Sequence, residues 1–193
     1  FPDWVTVQEP LSLEALSYTC DGYTMDLIGV VKNKGSGAID GAEVYIKYYR
    51  GNTVVREDAS VTVPALGVIG PGEKAPFSFY VPDKKEWDSC KMLIKPGIGA
   101  LYYPNPALKL VSHELTLAGH IRGEIHNTGE TTVEGIQVVV IGYDDQGQLV
   151  AVGSGTTKAR TVPAGEGTLF EAEPWPWAAP PMGGGDLRSI NTY

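Results

Sequence analysis

Few residues in this chain have types and spacing that could do chemistry. Among its 193 residues are two cysteines, Cys20 and Cys90, and three histidines, His113, His120 and His126. His120 and His126 share one strand face with Arg122 and Glu124, but along an extended chain they stand roughly 20 Å apart, too far for one zinc ion. They read as surface histidines. Asp144-Asp145-Gln146-Gly147 carries oxygen atoms of the kind calcium takes. It lacks the spaced ligands and distal glutamate of a calcium loop, and a hairpin turn accounts for it. No Gly-x-Ser-x-Gly elbow occurs, and Ser112-His113, the one serine next to a histidine, carries no further sign of a nucleophile with its base. The carboxylates cannot be sorted into a glycosidase pair from sequence, because that assignment needs a measured separation. The expectation is a chain with no catalytic residue, no metal and no other cofactor.

Recognition by aromatic surface is the other chemistry the residues offer. Glu173-Pro174-Trp175-Pro176-Trp177 leads into a proline- and glycine-rich stretch ending at Gly185. Proline restricts the chain while tryptophan supplies a flat amphipathic ring, which is how a contact loop is built. Trp175 and Trp177 are therefore candidate binding residues, and Tyr102 and Tyr103 extend the aromatic surface. Two readings stand side by side: the tryptophans anchor a partner, or they pack on the edge of their own domain, as Trp87 would earlier in the chain. Tyr48 and Tyr49 are read as further aromatic surface near a strand end.

Composition narrows the partners. A net charge of −8 with no basic stripe argues against nucleic acid and against anionic lipid. No apolar run reaches the length of a membrane helix, so membrane insertion by this segment is not expected. Hydrophobic content of 42% with 20% charged residues is that of a folded chain. The 24 glycines and 14 prolines are spread along it, which suits many short strands joined by turns. A start at Phe1-Pro2-Asp3-Trp4, without methionine, is expected of a mature or trimmed product.

The elements that must position these residues come in two copies. Gly29-Val30-Val31-Lys32-Asn33-Lys34-Gly35 is matched by Gly123-Glu124-Ile125-His126-Asn127-Thr128-Gly129, about 94 residues on. Gly41, Val44 and Tyr49 meet Gly135, Val138 and Tyr143; Gly72-Glu73 and Phe77 meet Gly165-Glu166 and Phe170. An internal duplication is the simplest account. Within each copy the apolar residues alternate, so Leu27, Gly29 and Val31, and Ile121, Gly123 and Ile125, form the inward set of one strand. Ala42, Val44 and Ile46, and Ile136, Val138 and Val140, form that of the next. Seven or so short strands per copy predict an all-β chain of two tandem immunoglobulin-like β-sandwich modules, 1–97 and 98–193, joined by a proline-rich linker at about 96–106.

The pattern resembles the FxLYD-type modules of bacterial secreted proteins and lipoproteins, immunoglobulin-like sandwiches often found in tandem. The resemblance rests on Gly-x-apolar-x-Asn-x-Gly, an alternating strand ending in tyrosine, then Gly-Glu and a downstream phenylalanine, over about 27–82 and 121–175. The name-giving motif falls on Ile46 to Arg50 and on Val140 to Asp144, with its tyrosine in both copies, its aspartate in one and its phenylalanine in neither. A CARDB-like bacterial sandwich shows a similar pattern. Either resemblance implies an extracellular or cell-envelope setting and brings no catalytic residue. In such a sandwich Cys20 ends the first strand and Cys90 opens the last, so a disulfide between them is expected. Closing that loop would stabilise the module by about 4 kcal/mol.

The function expected is that of a non-catalytic extracytoplasmic interaction or spacer protein whose partner is another protein or a cell-surface glycan. Two alternatives are a carbohydrate-binding module using Trp175 and Trp177, and an accessory domain of a cell-envelope enzyme. Strand parity adds one expectation. Ile28 and Val30 face outward where the second copy has Arg122 and Glu124, and Val139, Ile141 and Tyr143 where the first has Tyr45, Lys47 and Tyr49. Exposed apolar stripes of this kind mark surfaces that something covers.

Overall fold

Alternating side chains become strands because period two lets one face of an extended segment meet a core while the other meets water. The computed structural model describes residues 3–20, 25–62, 67–81, 86–99, 107–175 and 189–192, with Thr19, Cys20, Met25, Asp26, Val81, Trp175 and 189–192 described in backbone only. All regular elements among them are β-strands. The chain divides into two compact units, Phe1–Tyr102 and Tyr103–Tyr193.

In the first unit, β1 (Val5–Val7), β9 (Ser89–Pro96), β5 (Ala42–Arg50) and β6 (Thr53–Val61) form one sheet in that order. Strands β2 (Leu11–Cys20), β3 (Met25–Asn33) and β8 (Lys74–Val81) form another, and β4 (Ile39–Asp40) pairs with β7 (Val68–Ile69). Leu13, Leu27, Val31 and Phe77 from the three-stranded sheet share one core with Val44, Ile46, Met92 and Ile94 from the four-stranded sheet. Strand β5 shows the alternation directly: Ala42, Val44, Ile46 and Tyr48 are buried while Glu43 and Lys47 are exposed. That parity corrects the reading of Tyr48 as surface. It is wholly buried, with the Trp87 ring centroid 5.2 Å from its own.

The second unit carries β10 (Leu108–Leu115), β11 (Ile121–Asn127), β16 (Gly167–Trp175), β14 (Leu149–Thr157), β13 (Gln137–Tyr143) and β17 (Ser189–Thr192) in one six-stranded sheet. Strands β12 (Val133–Glu134) and β15 (Thr161–Val162) form a separate short pair. Ile121 and Ile125 from one end of the large sheet and Val138 and Val140 from the other meet in one core, so the sheet folds over itself. The layered all-β arrangement is consistent with a β-sandwich.

A buried asparagine holds each unit at the same place. Asn33, at the end of β3, donates through Nδ2 to the carbonyls of Gly37 and Ile69 at 2.8 and 2.9 Å, and its Oδ1 accepts from the Gly35 N–H at 2.9 Å. Asn127, at the end of β11, donates to Thr131 and Val162 at 2.7 and 3.0 Å and accepts from the Gly129 N–H at 3.1 Å. Their backbones bond to the Gly72-Glu73 and Gly165-Glu166 turns in matching fashion. The Asn-x-Gly and Gly-Glu signatures are thus two ends of one bracket, closed by a side chain that is 0% exposed in both units.

The units differ in how their sheets end. In the second, β14 pairs with β16 from Val152↔Trp175 to Thr157↔Phe170. Two glycines allow this approach. A Cβ on Gly153 would sit 2.1 Å from the Glu173 carbonyl oxygen, and one on Gly155 would sit 2.0 Å from that of Glu171. In the first unit, Asp58 and Ser60 stand at the matching positions, opposite Ile46 and Val44 as Gly153 and Gly155 stand opposite Val140 and Val138. There β6 ends its sheet, and Asp58 pairs with Arg56 at 2.8 Å. Inward-facing charge on an edge strand disfavours further strand pairing.

The strands bearing Cys20 and Cys90 lie in different sheets, β2 beside β3 and β9 between β1 and β5, and the two strands contact each other across the unit. Within its sheet, β9 is flanked by residues 5–7, which form a parallel strand of their own against Met92–Ile94. The apolar stripes are covered, as expected. Ile28, Val30, Val139 and Ile141 are 3%, 0%, 0% and 1% exposed.

Candidate functional site

A groove of about 440 Å³ opens on the second unit where β10, β11 and β16 lie side by side. Local sequence shapes it. The β10–β11 register shifts between Leu110 and Ser112, a bulge that leaves Val111 without a partner in the ladder. Glycine at 123 leaves room for the Ser112 carbonyl oxygen, which would lie 2.2 Å from any Cβ there. Register then sets Glu114, Arg122 and Glu171 abreast on three strands, with His113 and Lys158 at the rim.

The charged groups are tied to one another. Arg122 Nε donates to Glu171 Oε2 at 2.8 Å, and His120 Nδ1 lies 2.5 Å from Glu171 Oε1. Beyond the groove His126 Nε2 stands 2.9 Å from Glu124 Oε1. The hydrogen bond from Arg122, then that from His120, hold the Glu171 carboxyl down at about 2. A carboxylate held anionic in this way accepts protons poorly near neutral pH.

This coupling carries a pH prediction. Glu171 is more acidic folded than unfolded, so its stabilising contribution is complete above the ordinary carboxyl value of 4.5 and is lost as pH falls from there towards about 2. Thermal melts of wild type and Glu171→Gln should therefore differ at pH 7 and converge near pH 2. Because the pair is solvent-exposed, the difference should shrink in high salt. A constant gap across that range would mean that the substitution acts through packing instead.

Sequence parity places His120 and His126 on the face with Arg122 and Glu124, and the structure has them there, each beside a glutamate. Asp144 accepts from the Gln146 and Gln148 N–H groups at 2.9 and 2.8 Å, the geometry of a turn. Among the described residues no group of three His, Cys, Asp or Glu could hold a metal ion, and no helix is long and apolar enough to cross a membrane. Trp177, Tyr102 and Tyr103 lie outside the described residues, as do the side chains of Trp175 and Cys20; the Trp175 backbone ends β16 opposite Val152. Cys90 is half-buried against the core of the first unit. The Arg122–Glu171 pairing escaped sequence reasoning because it depends on the register of two strands far apart in the chain.

No family model matches the chain, and no curated protein matches it.

Proposed function

We propose that this chain is a non-catalytic, extracytoplasmic interaction or spacer protein made of two immunoglobulin-like β-sandwich modules that arose by internal duplication, of the FxLYD or CARDB-like kind. The observation that carries the reading is the asparagine bracket repeated in both units. Buried polar geometry, the most demanding part of the fold, is common to the two copies and serves structure. What differs is the strand face turned away from that bracket's core, where Tyr45 and Lys47 meet solvent in one copy and Val139 and Ile141 are buried in the other. A scaffold kept constant beneath a varied surface is the pattern of a module that presents contacts. The groove along Arg122 and Glu171 is one such surface. An extracytoplasmic setting also favours a Cys20–Cys90 disulfide.

The test uses the purified chain in two readouts. Incubated with a panel of acyl, glycosyl and phosphoryl esters, it should show no turnover above buffer. Saturable turnover that Glu171→Gln or His113→Ala removes would make it an enzyme. Intact mass after alkylation without reductant should be unshifted. Two added alkyl groups would remove the disulfide from the proposal.

A further inference from the structure

The outer face of the four-stranded sheet in the first unit is the place where basic and aromatic side chains gather. Along β5 it presents Glu43, Tyr45, Lys47 and Tyr49, and along β9 it presents Lys91, Leu93 and Lys95. Its two carboxylates are engaged: Glu43 accepts the Tyr45 hydroxyl at 2.7 Å, and Glu57 on β6 pairs with Lys47 at 2.8 Å. Lys91 and Lys95 pair with no carboxylate among the described residues. Each lies instead over a tyrosine, Lys95 at 4.9 Å from the Tyr45 ring centroid and Lys91 at 5.7 Å from that of Tyr49. An ammonium resting on an aromatic face is positioned at little further entropic cost and keeps its N–H groups for an anion. Four residues separate each member of one Lys–Tyr pair from its counterpart in the other, so the pairs repeat at about 13 Å along the strands.

We infer that this face binds an acidic polysaccharide of low charge density, a uronate-containing chain whose carboxylates meet Lys91 and Lys95 while its sugar rings lie against the Tyr45 and Tyr49 side chains. The argument is charge complementarity at matched density. Three lysines and two carboxylates on the face, within a chain of net charge −8, cannot hold a polymer carrying a charge every few ångströms. They suit a chain whose anions are sparse and whose remaining surface offers hydroxyl groups and C–H faces to tyrosine. The matching face of the second unit has lost the feature: Val139 and Ile141 replace Tyr45 and Lys47 and are buried. The inference rests on the reading of the chain as a non-catalytic interaction protein and names a ligand class for it.

Isothermal titration of the whole chain with an oligosaccharide about ten sugars long, in which glucuronate alternates with neutral N-acetylglucosamine, is the test. A neutral β-glucan oligosaccharide of equal length and single-stranded oligothymidylate serve as comparisons. Saturable binding to the uronate is expected, weakened about tenfold in Lys91→Ala/Lys95→Ala and reduced by raised salt. Both lysines are on the outer face of the sheet, so the variant should melt as wild type does. Binding should persist in Trp175→Ala/Trp177→Ala. Absence of saturable binding, equal binding by the lysine variant, or equal affinity for glucan or oligothymidylate overturns the inference and leaves the non-catalytic reading standing. Cleavage of the uronate chain by the protein would overturn the non-catalytic reading and leave the site standing.

Discussion

Asn127→Leu is expected to destabilise the second unit by about 3 kcal/mol, and Asn33→Leu the first by a similar amount. Each asparagine is wholly buried and satisfies two backbone carbonyls and one N–H. Leucine resembles asparagine in size and is more apolar, so a packing argument alone predicts little change or a gain. The loss comes from three backbone groups left without this partner, one in a buried bond worth about 1–3 kcal/mol and two in part-buried bonds worth less. For a unit of about one hundred residues this lowers the melting temperature by more than about 10 °C. Thr156→Ala, on the exposed face of β14, should stay within about 0.5 kcal/mol. Differential scanning calorimetry of the three variants checks the order. An Asn127 variant that melts with wild type would mean that the bracket contributes nothing net.

Gly155→Val should have an effect at least as large, by a different route. Its Cβ would stand 2.0 Å from the Glu171 carbonyl oxygen and 2.5 Å from the Ala172 Cα. Both obstacles are backbone within a paired strand, so no side-chain rotation relieves the clash, and either β14 or β16 must move. The cost expected is about 3 kcal/mol or more, the upper end of what overpacking produces. The change should be local: amide hydrogen exchange should quicken along 152–157 and 170–175, where β14 and β16 pair. The β10–β11 ladder should keep its protection. Unchanged exchange across β14 and β16 would show that glycine is not what permits their pairing. The first unit already displays the alternative, with Asp58 and Ser60 in these positions and β6 at the end of its sheet.

The sequence by itself determined the all-β class, the buried face of strands whose apolar and polar residues alternate, and the repeated bracket signature. These depend on residues close together in the chain. Alternation along Ala42 to Tyr48 sets which side is buried whatever strand lies beside it, and Arg122 with Glu124 turns one face of β11 in the second unit towards water. Even so, alternation was not applied far enough: continued by one step, it places Tyr48 in the core. The tertiary structure alone decided which strands became neighbours. Residues 5–7 came to lie beside β9 as a parallel strand, while the strand of Cys20 joined the other sheet. Gly153 and Gly155, which in sequence only weaken a strand, proved to be where one half of a sheet reaches the other. The row Glu114, Arg122, Glu171 exists only once β10, β11 and β16 are in register. Pairing between distant strands is set by how turns and core packing close the whole unit, and a one-residue shift would send every one of these side chains to the other face.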